Sequence, residues 1–375
     1  MKVLTSVFLC ILLFHGTKAQ YKKCHSEKRG IGNCMTLEEC PILYSGQENQ
    51  FTGAQKDHFF SSECEPPLVC CLNQKVSGRI ISLLPQPPTC GGSDVKYKVL
   101  GGVQTGLDEF PWMAMLEYKK RDVNNLTTNC AGSLINHRYV LTAAHCLKGR
   151  YLEGIGELVS VRLGEHDTRT DEDCSAGRGR CSPKFQRLGF KEIHVHEEFR
   201  GMLGSRLHDI GLIRLERNVV YSQSIRPICL PSTVPAAVRF PGRPLTVAGW
   251  GTTSSLELSP TKQKAQLNYV KASECRRLWE DYIHLESTQL CAGKFQADSC
   301  AGDSGGPLMQ LRDGIWVQEG IVSFGFGCAI KNRPGVYTDV AAYDTWIRRK
   351  VVARDGDYVE LVAPLREGLN QMYGP

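Results

Sequence analysis

The sequence predicts a mainly β protein: an antiparallel sandwich or barrel spanning about 250 residues, with a small disulfide-stapled module ahead of it. Three observations carry this. Runs of β-forming residues recur between turn residues at Trp112 to Tyr118, Tyr139 to Thr142, Val159 to Leu163, Ile210 to Leu215, Leu245 to Ala248 and Gly320 to Ser323. Six cysteines, Cys24, Cys34, Cys40, Cys64, Cys70 and Cys71, crowd a stretch with too few large apolar side chains to hold itself together without cross-links. At 375 residues the chain also exceeds one average domain, so two units of unequal size are expected. Helical patterning is convincing only near Ala272 to Asp281 and Ala341 to Val352, and there is no internal repeat.

The elements follow in order from the N-terminus. Lys2, the apolar run Val7 to Phe14 and the small-residue pattern Thr17-Lys18-Ala19 read as a signal peptide over residues 1–19, with the mature chain beginning at Gln20. The apolar run is too short to span a bilayer and no other stretch reaches that length, so an exported protein without a membrane anchor is expected. Loss of Cys10 with the signal leaves sixteen of seventeen cysteines, an even number suited to disulfides in an oxidising compartment. Matched CxxC pairs of the kind that hold zinc are absent. The six-cysteine module occupies residues 20–72, and its cysteines allow fifteen pairings that spacing leaves open. Residues 73–98, with Pro85, Pro87, Pro88, Gly91, Gly92 and the isolated Cys90, read as an exposed linker. The net charge of +6 is dispersed and does not form a basic arm, which argues against a nucleic-acid partner.

The chemistry concentrates in Gly302-Asp303-Ser304-Gly305-Gly306-Pro307. A serine among glycines lets a tight backbone turn its amides toward one point while the hydroxyl stays reachable, as an acyl-transfer nucleophile requires. The same letters fit the G-x-S-x-G elbow of α/β-hydrolases, whose base follows the serine. Here all ten histidines precede Ser304, so the base comes from upstream. His145, in Leu141-Thr142-Ala143-Ala144-His145-Cys146, is the best candidate, and Asp209, at the mouth of the apolar run Ile210-Gly211-Leu212-Ile213, is the candidate third member.

These three contexts, in the order His, Asp, Ser, resemble the chymotrypsin-like (trypsin) protease family from Val99 to about Lys350. The resemblance implies two packed six-stranded β-barrels over residues 99–350 with the triad in the cleft between them. It casts His145 as general base, Asp209 as the group that orients it, and the amides of Gly302 and Ser304 as the oxyanion hole. Gly249-Trp250-Gly251 and Ser323-Phe324-Gly325 match further family segments, while Ala131 and Gly211 stand where glycine and alanine are usual and Phe324 where tryptophan is common. Asp298, six residues before Ser304, matches the floor of the S1 pocket and implies cleavage after Arg or Lys, with Gly325 and Gly335 as pocket walls. Lys98-Val99-Leu100-Gly101-Gly102 matches the family's activation point: cleavage after Lys98 by another protease would free the Val99 ammonium to pair with Asp303.

The same resemblance pairs Cys130 with Cys146, Cys275 with Cys291 and Cys300 with Cys328, and in related zymogens Cys90 with Cys229, leaving Cys174 with Cys181. The six-cysteine module resembles the clip domain of arthropod clip-domain serine proteases, implying Cys24 with Cys70, Cys34 with Cys64, and Cys40 with Cys71. Members with these extra features include prophenoloxidase-activating and Spätzle-processing enzymes, which implies haemolymph, a serpin inhibitor, and melanization or Toll signalling. A catalytically silent clip-domain cofactor and a digestive trypsin are the alternatives. The intact triad candidates oppose the first, and the clip module with its long pro-segment opposes the second. No cofactor is expected in catalysis, but Glu165, Asp167, Thr170 and Asp173 place oxygen atoms in one short loop, a candidate calcium cage of a kind relatives use. His194 and His196 suggest a metal pair, but the family has no site in that strand, so surface exposure is expected for them. Asn125-Leu126-Thr127 is a glycosylation sequon. The tail, residues 351–375, has no assigned role.

Overall fold

The computed structural model describes residues 23–26, 30–36, 68–72 and 103 by their backbone, and 83–92, 104–121, 125–174, 179–201, 206–236, 241–252, 257–293, 303–325 and 333–351 in full. The chain divides into two compact units, Met1–Ile81 and Ser82–Pro375. The first contains an antiparallel sheet in the order β1 (Lys23–Ser26), β2 (Gly30–Thr36), β3 (Leu68–Leu72). Its register sets Cys34 opposite Cys70 and Asn33 opposite Cys71. The cystines of this module lie outside the described residues.

The linker expectation is corrected over residues 83–92, which are docked on the second unit. Leu84 is 5% exposed and Cys90 fully buried, and Cys90 is joined to Cys229. The Gly91 amide donates to the Pro227 carbonyl and its carbonyl accepts from the Trp316 amide. A Cβ at Gly91, where φ is +72°, would lie 2.6 Å from the Trp316 carbonyl oxygen, so only glycine lets the chain approach this closely. Composition alone reads proline and glycine as exposure, whereas here they shape a strap.

The second unit opens with β4 (Val103–Gln104). Then come β5 (Met113–Lys119), β6 (Leu126–Leu134), β7 (Tyr139–Thr142), β8 (Glu157–Leu163), β9 (Gln186–Leu188), β10 (Phe190–Val195) and β11 (Gly211–Leu215). These form one sheet in the order β10-β11-β7-β6-β5-β8-β9. Only Gly189 separates β9 from β10, and they pair with β8 and β11 respectively. They are halves of one interrupted strand, so six strands close a ring. The second sheet contains β12 (Pro244–Gly249), β13 (Gln263–Val270), β14 (Gln289–Gly293), β15 (Pro307–Arg312), β16 (Ile315–Phe324) and β17 (Gly335–Asp339). Pairing of β12 with β13 closes these six, and β4 adds to β13 as a seventh.

Strand length and burial follow from composition. β7, β11 and β17 are wholly buried, so their apolar residues run continuously and do not alternate. One cluster joins the barrels: Trp112, Tyr118 and Tyr139 share it with Met309, Ile321 and Ile347. Trp112 donates its indole N–H toward the Met309 sulfur at 3.0 Å. An acid interrupts the apolar run of β5: Glu117 is fully buried and accepts from Ser160 and Arg162 of β8 and from Arg187 of β9. Three short helices complete the unit, α1 (Tyr151–Ile155), α2 (Ala272–Trp279) and α3 (Asp344–Lys350). α3 carries Asp344 in its first turn and Arg348, Arg349 and Lys350 in its last, matching the helix dipole, and buries Ile347.

Candidate active site

His145 lies in a single 3-10 turn, Ala144–Cys146, directly after β7, and the Cys130–Cys146 disulfide ties that turn to β6. Asp209 immediately precedes Ile210 and β11, which pairs with β7, so strand pairing brings the two side chains together. His145 Nδ1 is 2.8 Å from Asp209 Oδ2, and the His145 backbone amide donates to Oδ1 at 2.9 Å. His145 is 2% exposed and Asp209 fully buried. A buried carboxylate needs its lone pairs filled. Ser323 of β16 donates to Oδ2 at 2.5 Å, and Thr338 of β17 donates to the Asp209 carbonyl at 2.8 Å. The second barrel thus clamps an acid belonging to the first. Gly211 also finds its reason: a Cβ there would meet Leu147 Cδ1 at 2.5 Å, so the bulk of leucine has displaced the usual alanine methyl.

Ser304 stands on a tight turn whose backbone is held from both barrels. Its carbonyl accepts from the Ala131 amide, Gly305 donates to the Val322 carbonyl, and Gly306 donates to the Asp303 carbonyl. Gly305 has φ +79°, and a Cβ there would fall 2.2 Å from Thr142 Oγ1. The Tyr151 hydroxyl, which donates to the Asn129 carbonyl at 3.4 Å, lies beside Ser304. The Tyr151 ring also meets the edge of His145 at 5.2 Å between centroids. Burial raises the Tyr151 phenol above its ordinary range, with the nearby Ser304 partly offsetting this, so it remains a neutral hydroxyl near neutrality.

Beside Ser304, the Asp303 carboxylate turns into a cradle of glycines. Its Oδ1 accepts from the Gly251 amide at 3.0 Å. A Cβ on Gly249 would lie 2.2 Å from Oδ1, and one on Gly251 would lie 2.6 Å from the carboxyl carbon. The Gly249-Trp250-Gly251 motif is therefore the space that Asp303 occupies, with Trp250 anchored between through its indole bond to the His166 carbonyl.

Of the remaining candidates, Gly335 opens β17 and is buried, while exposed Gly325 follows β16. Phe324 packs edge-on against Trp279 at 5.4 Å, with the Arg206 guanidinium 4.6 Å above its ring. Cys174 is bonded to Cys181 and Cys275 to Cys291. Asp298, Gly302, the Cys300 and Cys328 positions, Lys98 and Val99 lie outside the described residues. Asn125 is exposed.

The candidate calcium loop is described throughout, and its carboxylates face other partners. Glu165 accepts from Arg162 at 2.7 Å and Asp167 is gripped by Arg169 through two bonds. Asp173 accepts from the amides of His166 and Asp167 and from the Thr170 hydroxyl. Burial pushes the Lys262 ammonium down to about 8, against the opposing pull of Glu109, Asp108, Glu165 and Asp173, and its Nζ lies 3.5 Å from the Glu165 carbonyl. Calcium takes six to eight oxygen ligands. A set already neutralised by two guanidinium groups does not fit that demand.

The Ser323-Phe324-Gly325 match marks the strand of Ser323 but not its bond to Asp209, and no sequence motif signals Thr338 or Tyr151 as site residues. Ser323 and Thr338 come from strands distant in sequence from Asp209, and their bonds to it emerge only in the fold. His194 and His196 are half-buried, which corrects the expectation of exposure.

The Trypsin family model matches residues 99–347. Serine protease 7 of Drosophila melanogaster is 38% identical over 359 residues, covering 86% of this chain and 91% of the relative. Phenoloxidase-activating factor 1 of Holotrichia diomphalia is 38% identical over 360 residues, covering 91% and 96%. The Spaetzle-processing enzyme of Drosophila melanogaster is 36% identical over 357 residues, covering 85% and 89%. Among solved structures, the Drosophila Grass clip serine protease of the Toll pathway aligns with TM-score 0.60 at 28% identity, covering 88% of this chain and 98% of that one.

Proposed function

The chain belongs to the trypsin family and is a serine endopeptidase of the insect clip-domain type, and from that premise we propose that it is a secreted zymogen. Cleavage after Lys98 activates it, and it then cuts protein substrates after Arg or Lys in an extracellular immune cascade leading to melanization or Spätzle processing. The observation that carries the reading is the buried His145–Asp209 pair, with both carboxylate oxygens occupied, beside a serine on a glycine turn. Packing residues do not require that constellation. The names of the phenoloxidase-activating and Spaetzle-processing relatives support the cascade. Among the described residues no helix is long and apolar enough to cross a membrane.

In the proposed reaction Ser304 Oγ attacks the scissile carbonyl while His145 Nε2 takes its proton. Asp209 holds the Nδ1–H tautomer and stabilises the imidazolium. The amides of Gly302 and Ser304 bind the oxyanion, and His145 returns the proton to the leaving amine. Water then repeats the sequence on the acyl-enzyme. No metal or cofactor takes part in these steps. For activation, β4 fixes Val103, four residues from Val99, to barrel two. Four extended residues reach about 14 Å, so a freed Val99 has a short tether from which to seek Asp303. Asp298 supplies the S1 charge that selects a basic guest.

The test uses the purified precursor. Cleavage after Lys98 should create activity on Arg or Lys amide substrates, and Ser304→Ala should remove it while leaving secretion intact. A preference for aromatic P1 residues overturns the Asp298 assignment, and full activity in Ser304→Ala overturns the triad.

A further inference from the structure

Outside the catalytic cleft, the turn after β10 and the residues before β11 bring His196, Glu198 and His208 together. One donor atom from each lies within 4.8 Å of the others. A second such group, Cys130, His145 and Cys146, offers no ligands, because both sulfurs are spent in a disulfide and His145 serves Asp209. In the first cluster the His196 and His208 rings stack at 4.7 Å, and His208 Nε2 lies 3.4 Å from Glu198 Oε2. His208 Nδ1 is engaged by the Tyr343 hydroxyl at 3.1 Å. This arrangement leaves Nε2 as the ligating atom, with its ring oriented from behind, as metal-bound imidazoles usually are. The neighbouring acid is kept apart: Glu197 is taken by the Trp346 indole and the Lys350 ammonium, which leaves Glu198 turned to His208.

We propose that His196, Glu198 and His208 form a zinc-binding site whose occupation slows the protease by restraining the segment that carries Asp209. Two imidazoles and one carboxylate suit a borderline divalent ion, with water as fourth ligand. Binding requires the His196 ring to turn out of the stack and give up the bond its Nδ1 accepts from the Glu198 amide at 3.3 Å, so that its lone pair points to the ion. The link to catalysis is covalent and short. His208 adjoins Asp209, sits at φ 58°, and passes its carbonyl to the Ile210 amide at 2.8 Å. A ring drawn toward a metal therefore moves backbone that positions the acid behind His145. A displacement of about 1 Å in such a group can cost up to about a hundredfold in rate. The inhibitory half rests on the proposed protease activity, whereas binding does not, and the two are measured separately.

Calorimetric titration of the full-length precursor with zinc chloride should show one saturable site. Glu198→Gln, an exposed change that leaves packing intact, and His196→Asn should each abolish or strongly weaken it, and Tyr343→Phe should weaken it about tenfold or more. Cobalt(II) should give the visible absorption of a four-coordinate ion, lost in the same variants. In the cleaved enzyme zinc should lower kcat, and Glu198→Gln should relieve this inhibition. Equal zinc affinity in wild type and both ligand variants overturns the site. Inhibition that persists in Glu198→Gln places the ion on His145 and overturns the coupling, as does binding that leaves kcat unchanged.

Discussion

The two halves of the catalytic cleft are built by different means. On the first-barrel side, His145 and Asp209 sit at the ends of adjoining strands. A disulfide fixes the histidine turn, four hydrogen bonds reach Asp209, and the pair is nearly sealed from water. On the second-barrel side, Ser304 and Asp303 ride a glycine turn whose shape depends on one carboxylate filling a cradle that tolerates no side chain. The first half is held by many redundant contacts and so is assembled with the fold. The second is also tied to both barrels, through the Ser304 carbonyl and the Gly305 amide, but its shape turns on a single carboxylate, Asp303. This division is what the proposed activation calls for, in which the cut would act through Asp303.

The comparison can be broken in several places. Asp209→Asn should cause the largest loss, about 10⁴-fold in kcat, because the Nδ1–H tautomer is no longer held. Steady-state kinetics on the cleaved enzyme reads it, and a loss under tenfold would show that the base half needs no acid. Gly251→Ala forces Asp303 to move and should cost about 10²- to 10³-fold through the oxyanion loop, without disturbing the His145–Asp209 bond. Ordinary turnover in that variant contradicts the cradle.

Glu117→Gln tests the scaffold beneath the first half. It should lower stability by about 3 kcal/mol, because two guanidinium groups lose their buried partner, while kcat of the folded enzyme is kept. Burial raises the Glu117 carboxyl, but bonds from Arg187, Ser160 and Arg162 outweigh it and hold it below its ordinary 4.5. Its folded value is depressed, so its stabilisation is fully present above pH 4.5 and is lost as pH falls through the lower folded value. Denaturant melts across that window should show a steeper acid loss in wild type than in the variant. The smallest effect is expected from calcium. With Glu165 and Asp167 already paired to arginines, millimolar calcium should leave the thermal midpoint within about 2 °C, and a larger rise overturns the assignment of those partners.

Much of this was legible in the residues. The contexts around His145, Asp209 and Ser304 are local words, and the strand runs appear close to where their β-formers lie. The short linear signals stop where function depends on pairing across the chain. Thr338 is an ordinary strand residue, and Ser323 only part of a matched segment, until β16 and β17 carry them to Asp209. The 83–92 strap looked like a linker because proline and glycine report backbone shape and not burial. The oxygen-rich loop reads as a cation cage because composition does not show that the largely buried Arg162 and the exposed Arg169 take its carboxylates. The pairing of His196 with His208 required the hairpin geometry that joins β10 to β11.

The most direct test of the unequal halves is proton NMR of the full-length protein before and after cleavage at Lys98. The strongly downfield His145 Nδ1 proton, shared with Asp209, should be present at the same position in the precursor and the cleaved enzyme, while activity on Arg or Lys amides appears only in the latter. A resonance that emerges only upon cleavage would contradict the account, since the base half would then also be waiting for the cut.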